Sequence, residues 1–302
     1  MRFREARTRH PVITRRRGTW IEWQGETTSG ASHETAINQH YGRPELSTLI
    51  LNGLQAADKD VLHLTPDDLA PVDQFHTGGK QATLDLARFA QLPRGAHVLD
   101  IGGGLGGPAR TVATELSCDV TVLDLTEEYC QTGQLLTDRV GLGDRVHFRH
   151  GTALALPFPE ASFDVVWTQH SSMNIEDKQG LYAEVRRVLR PDGRLALHEI
   201  LAGPVQPVHV SVPWASDASF SFLIEPDTLR KLLTARGFRE VGWRDESAAA
   251  LNFFRRRSKP PQQAASPLGL FLLMGEDSTT KIRNQIRNLE EQRIVIAQGV
   301  FG

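Results

Sequence analysis

From His97 onward the apolar and polar positions switch repeatedly between two periods. "HVLDI", "DVTVLDL", "RVHFRH", "FDVVWTQ", "GRLALHEI" and "REVGWRDE" are short apolar or alternating runs of strand type. The segments between several of them carry apolar residues at helical spacing. "GPARTVATEL" and "EEYCQTGQLLTDRVG" read as helices, the second ending near Gly141. "KQGLYAEVRRVL" puts Leu181, Val185, Val188 and Leu189 on one face. "EPDTLRKLLTARGF" turns Leu229, Leu232 and Leu233 inward, with Pro226 near its start and Gly237 just past its end. Repeated strand–helix units predict a doubly wound, mostly parallel α/β sheet with helices on both faces. After Ala250, "FFRRRSKPPQQAASP" reads as a loop around Pro260 and Pro261. "DSTTKIRNQIRNLEEQ" then predicts a capped helix with Ile282, Ile286 and Leu289 inward, and "RIVIAQGVF" a seventh strand rejoining the sheet antiparallel at its edge.

Upstream of His97 the texture is helical only, from about Thr35 to Leu92. "GRPELSTLILNGLQ" carries Pro44 at a first-turn position, followed by Leu46, Leu49 and Leu54. "TPDDLA" offers Thr65 as N-cap with Pro66 at the first helical position. "GGKQATLDLARFAQL" groups Leu84, Ala87 and Leu92 with Phe89. The first residues differ again: "MRFREARTRHPVITRRR" holds seven arginines against one acid, and a loose linker follows. The expected organisation is a disordered basic tail over 1–33, a helical lid over 34–92, and an α/β domain over 93–302. A pocket-forming insertion is expected around 201–224.

Composition narrows the class of function. The 302 residues are 40% hydrophobic and 23% charged, with net charge −2, as in an ordinary globular chain. No apolar run approaches the ~20 residues of a membrane-spanning helix. Cys118 and Cys130 form no metal pattern and no disulfide framework, so a cytoplasmic location is the default. The near-neutral charge gives no reason to expect nucleic acid, and neither a membrane nor a metal ion is required. No H-E-x-x-H, Cys/His cluster, G-x-S-x-G or Walker pattern occurs.

"DIGGGLGG", Asp100 to Gly107, follows the first strand and opens a helix. Gly102, Gly104 and Gly107 satisfy G-x-G-x-x-G, which fits a dinucleotide pyrophosphate on a helix N-terminus. Asp100 argues otherwise, because a carboxylate there repels pyrophosphate oxygens and suits an ammonium. S-adenosylmethionine has that ammonium, with a carboxylate and a sulfonium. Asp124 ends the second strand about 20 residues past the loop, where an acid takes two ribose hydroxyls; the alternative is a helix N-cap.

Downstream, "HGTALALPFPEASFDVVWTQH" follows the third strand and "VLRPDGRLAL" precedes the fifth. With "VLDIGGGLGGPAR", these runs resemble the class I S-adenosylmethionine-dependent methyltransferases. The closer resemblance is to their small-molecule branch, which includes sarcosine/dimethylglycine and tocopherol-type enzymes, over roughly Asp73 to Phe238. The resemblance implies a Rossmann-like seven-stranded sheet and S-adenosyl-L-methionine as cofactor. It assigns Asp100, Gly102, Gly103 and Gly104 to the methionine moiety, Asp124 to the ribose and Leu125 to the neighbourhood of the adenine. The family often has an acid after the third strand for the adenine amine. This chain departs from that with Thr152, whose hydroxyl, or the amide of Ala153, takes the contact. Gln169 and His170, just past the fourth strand, are expected to line the methyl-transfer site.

Methyl transfer from a sulfonium is an in-line displacement with a good leaving group, so alignment and water exclusion dominate. A base helps where the nucleophile carries a proton. His170 is the expected base because its ordinary pKa lies near neutrality, and Asn174 and Glu199 are the other catalytic candidates. The loop "DQFHTGG" adds Phe75, His76 and Thr77 as cofactor or substrate contacts, and Trp214 in the insertion is a candidate pocket wall. The expected partner is a small-molecule methyl acceptor on N, O or activated carbon; monomer and homodimer are both open. The alternatives are a protein that binds the cofactor for non-methylating, cyclase-like chemistry, and a non-catalytic partner. A nicotinamide oxidoreductase would place its glycine turn at the start of the chain and lack Asp100.

Overall fold

In the computed structural model, which describes residues 30–257 and 266–302, one seven-stranded sheet organises the chain. The strands are β1 (His97–Ile101), β2 (Asp119–Asp124), β3 (Val146–His150), β4 (Phe163–Gln169), β5 (Leu189–Ala202), β6 (Glu240–Asp245) and β7 (Ile294–Phe301). Their order is β3-β2-β1-β4-β5-β7-β6. The β1, β2, β3, β4 and β5 pairings are parallel, and β7 runs antiparallel to both β5 and β6. The last strand therefore rejoins the sheet antiparallel but not at its edge. It inserts between β5 and β6, which makes β6 the edge strand. "IVIAQGVF" is buried along nearly its whole length, as a strand covered on both faces must be.

Helices α4 (Gly79–Phe89) and α5 (Gly107–Leu116) lie on one face, where Leu86 and Val112 pack with Val98, Val122, Val165 and Trp167. Helices α7 (Lys178–Val188) and α8 (Pro226–Ala235) cover the other, where Leu181, Val185, Leu229 and Leu233 meet Leu99, Val166 and Leu197. Helix α6 (Glu127–Val140) follows β2 and ends at Gly141, and α8 is followed by Gly237; both glycines have positive φ.

Among the described residues, three helices precede α4: α1 (Gly30–Tyr41), α2 (Leu46–Ala56) and α3 (Pro66–Asp73). Thr65 caps α3 with Asp68 in a reciprocal capping box. Of the expected tail, residues 1–29 lie outside the described residues, and α1 begins at Gly30. The C-terminal side contributes α9 (Ser247–Arg257), α10 (Phe271–Met274) and α11 (Ser278–Glu290). The stretch from Phe253 to Arg257, expected as loop, continues α9. Ala250 and Phe254 bury one face of that helix in a cluster with Trp214, Phe220, Leu289 and Ile296. Tertiary burial overrides the local signal of three arginines next to a proline pair. Pro260 and Pro261 lie outside the described residues.

Candidate functional site

The carboxyl ends of β1, β2 and β4 open into a cavity of about 1070 Å³. Strand order reverses between β1 and β4, the place where open α/β sheets leave a crevice for a ligand. The glycine loop forms one wall. Gly102 adopts φ +69°, and a Cβ there would overlap the Cβ of Ser171, which follows β4. Gly103 lies directly over the Asp100 carboxylate, and a Cβ would meet its Oδ2 at 2.6 Å and Val122 Cγ1 at 2.8 Å. The loop is glycine-rich because it is pressed between the acid below it and the next strand's loop beside it.

Asp100 makes no side-chain hydrogen bond among the described residues, and its Oδ2 is buried without a partner. Burial pushes its carboxyl up to about 7, with the charge of Asp124 adding to the shift. Asp124 is held firmly, Oδ2 accepting from the Gly104 N–H at 2.9 Å and Oδ1 from the Thr126 N–H at 2.9 Å. The N-cap of α6 is Thr126 and not Asp124, so the Asp124 carboxylate bridges the residue before the helix to the glycine loop. Burial raises its pKa despite those two donors. Leu125, Thr152 and Ala153 continue the cavity wall beyond it.

A second group is a buried polar knot beneath the end of β4. The Gln169 Oε1 accepts from Trp167 Nε1 at 2.9 Å and from the Thr83 hydroxyl at 3.1 Å. Its Nε2 is thereby the donor to His198 Nδ1 at 3.4 Å. His76 Nε2 faces the Gly79 carbonyl and the Thr83 hydroxyl, both at 3.1 Å; a carbonyl only accepts, so this nitrogen carries the proton. Gln169 lines the cavity, with its amide oxygen taken by Trp167 and Thr83 and its amide nitrogen directed at His198.

His76, His170 and His198 cluster with ring centroids 4.8 to 6.4 Å apart. Burial holds His76 at about 4 and His198 at about 3. Burial, and then the two neighbouring histidines, drive His170 well below its ordinary value. His170 lines the cavity in a left-handed backbone conformation, φ +53°, fixed by its N–H donating to the His198 carbonyl at 2.8 Å. Its Nε2 is buried without a partner.

Two further expected catalytic residues are placed differently. Glu199 is fully buried and does not line the cavity. It shares the sheet face of Leu197 and Leu201, and its Oε2 accepts from the Ser172 N–H at 3.2 Å. Only its neighbour Ile200, on the opposite face, reaches the cavity. Asn174 does line the cavity, yet its side chain is fully engaged. Its Nδ2 donates to the Trp214 and Phe220 carbonyls at 2.8 and 2.9 Å, and its Oδ1 accepts from the Tyr41 hydroxyl at 2.8 Å. It latches α1 and the 201–224 segment to the turn after β4. Trp214 is buried in the wall with Nε1 donating to Ser221.

Apart from α1, which falls largely in the expected helical lid, the far wall is not foreseen from the sequence. Ile37 of α1, Phe253 and Phe254 of α9, Leu273 and Met274 of α10, and Ile282 of α11 make that part of the cavity apolar. Among the described residues, six in the cavity wall carry a buried polar atom without a partner: Asp73, Thr77, Asp100, Tyr129, His170 and Ser171. Buried polar groups are normally satisfied, so this concentration at one cavity marks a site shaped for a polar ligand.

Residues 99–197 match the family described as a methyltransferase domain. The match starts inside β1 and stops inside β5, so it contains the glycine loop, Asp124 and His170. The chain is 39% identical over 138 residues to the 27-O-demethylrifamycin SV methyltransferase of Amycolatopsis mediterranei, covering 46% of this chain and 50% of that protein. It is 27% identical over 218 residues to the glycine/sarcosine/dimethylglycine N-methyltransferase of Actinopolyspora halophila, covering 72% of this chain and 38% of that protein. The chain thus spans half or less of the length of these curated relatives. The geranyl diphosphate C-methyltransferase of Streptomyces coelicolor A3(2) has the same fold, with a TM-score of 0.62 at 16% identity over 89% of this chain and 97% of that one. Among the described residues, no three or more His, Cys, Asp and Glu side chains are grouped to hold a metal ion. No described helix is long and apolar enough to cross a membrane.

Proposed function

We propose that the chain is an S-adenosylmethionine-dependent methyltransferase acting on a largely apolar small molecule. The observation that carries this reading is the unsatisfied Asp100 carboxylate beneath a glycine loop that Asp124 braces, at one wall of a cavity whose far wall is apolar. At about 1070 Å³ the cavity lies just above the range for a single small-molecule site, roughly 300–1,000 Å³, which leaves room for an acceptor beside the cofactor.

When bound, S-adenosylmethionine supplies an electrophilic methyl group on a sulfonium. Asp100, with the backbone of Gly102, Gly103 and Gly104, holds the amino-acid end, and Asp124 the ribose hydroxyls. Leu125, Thr152 and Ala153 border the adenine. Helix α1, latched through Tyr41 and Asn174, serves as a lid that excludes water. His170 accepts a hydrogen bond from the acceptor. A nucleophile gains positive charge as it takes the methyl group and becomes strongly acidic. A base held below its ordinary pKa is therefore sufficient to remove the proton.

Calorimetry with S-adenosylhomocysteine tests the reading. The wild-type chain is expected to bind it, and Asp124→Ala to lose about 2–4 kcal/mol, one or two hydrogen bonds to a charged group. Absence of binding by the wild-type chain overturns the proposal, and unchanged affinity in the variant removes the ribose assignment.

A further inference from the structure

Helix α11 carries four polar side chains on its inward side: Lys281, Asn284, Gln285 and Asn288. Three of them are tied to backbone carbonyls. Lys281 Nζ donates to the Met274 carbonyl at 2.9 Å, Asn284 Nδ2 to Ser211 at 2.9 Å and Asn288 Nδ2 to His209 at 2.9 Å. These bonds fasten α11 to the segments it covers and explain why polar residues lie there.

Gln285 is the exception. It is 3% exposed and makes no side-chain hydrogen bond among the described residues. Its amide is not sealed in the wall like the six orphaned groups near the glycine loop, but opens onto the cavity. Ile282 and Ile286 flank it on the helix and pack against the cluster of Met173, Trp214 and Phe254. A primary amide that opens onto an apolar cavity, unpaired by protein, is left to water, so a ligand that covers it must replace that water with a polar group or leave the amide desolvated. Of the charged wall residues away from the glycine loop, Glu176, Asp177 and Arg283 are exposed and Glu34 is only half-buried. Among the described residues, this end of the cavity thus offers no fully buried counter-charge to an ionic ligand.

We propose that Gln285 determines acceptor specificity, its amide hydrogen-bonding the hydroxyl or carbonyl of a neutral, otherwise apolar acceptor. The proposal rests on the methyltransferase reading for the word acceptor, but the binding site it describes does not. An amide suits such a group because it donates and accepts from one planar end. It also rejects a purely hydrocarbon molecule, which leaves the amide desolvated and unpaired.

The test uses matched pairs that differ by one polar group, farnesol with farnesane and 1-naphthol with naphthalene. Binding to the full chain saturated with S-adenosylhomocysteine is read from the fluorescence of Trp214 and its neighbours. Wild type is expected to prefer the hydroxylated member of at least one pair by about three- to tenfold, the worth of one neutral hydrogen bond. Gln285→Met keeps length and helix propensity and removes the amide. It is expected to abolish the preference while leaving S-adenosylhomocysteine affinity and the circular dichroism spectrum unchanged. No preference in wild type, a preference that survives in Gln285→Met, or no binding of any probe overturns the proposal. Failure of S-adenosylhomocysteine to bind, with the probe preference intact in its absence, sinks the methyltransferase reading alone.

Discussion

The Asp100 carboxyl makes cofactor binding a proton-linked event. In the free protein its pKa is about 7, raised by burial and by Asp124. The ammonium of S-adenosylhomocysteine favours the ionised form, so binding must expel a proton wherever the free carboxyl holds one. A ligand that binds only the ionised form loses about tenfold in affinity for each pH unit below the free-state pKa. From about pH 8 to about pH 5 the dissociation constant is therefore expected to rise by roughly a hundredfold, most of it below neutrality. His76, at about 4, and His198, at about 3, titrate below this interval. Asp73 and Asp124 are also raised by burial, so a control must separate them. Asp100→Asn supplies it: the variant binds more weakly at high pH, and its profile between about pH 5 and pH 8 is nearly flat. Calorimetry in two buffers of different ionisation enthalpy counts the released proton directly. A flat wild-type profile refutes the Asp100–ammonium linkage. An equal slope in Asp100→Asn transfers the titration to Asp124 or Asp73.

The sheet is legible because most strands contain a short apolar run ending near a charged or polar residue, and three of those residues, Asp100, Asp124 and Gln169, line the cavity. Strand-end position alone does not say which face a side chain takes. Glu199 closes the fifth run as Asp100 closes the first, yet it points toward Leu197 and Leu201, away from the cavity. A single-residue change in register exchanges the two faces, and that register is set by pairing with β4 on one side and with β7, nearly a hundred residues later, on the other. The same long-range pairing hides the interior place of β7. Helix α9 is obscured because "FFRRR" before a proline pair looks like a linker, and only packing against α11 and β7 makes it helical. Gln285 is invisible for the same reason: a glutamine within a charged helical run reads as a solvated position until the cavity it faces exists. Asn174 and Gln169 are legible as residues near the site, but their roles as latch and knot depend on partners contributed by other elements.

Two further outcomes follow from the glycine loop. Gly103→Ala should cost about 1–3 kcal/mol of stability by overpacking and abolish S-adenosylhomocysteine binding, because the new methyl group displaces either the Asp100 carboxylate, 2.6 Å from it, or the loop. Thermal unfolding with and without ligand checks both parts, and ligand stabilisation equal to wild type refutes the close packing. Asp100→Asn, in contrast, should make the ligand-free protein more stable. A carboxyl whose folded pKa, about 7, exceeds its ordinary 3.8 contributes its full stability only below about pH 4, and loses it as pH rises through about 7. At pH 8 the wild-type chain therefore holds a buried charge that the amide variant does not, a difference of at most about 4 kcal/mol for a shift of this size. The melting temperatures of the two proteins should converge as the pH falls toward 5, where wild type is protonated, and the gap at pH 8 should shrink or reverse with saturating S-adenosylhomocysteine. An Asp100→Asn variant less stable than wild type at pH 8 without ligand would mean that the carboxylate is satisfied in the free protein. It would then serve the loop's structure and not the ammonium that the site is built to receive.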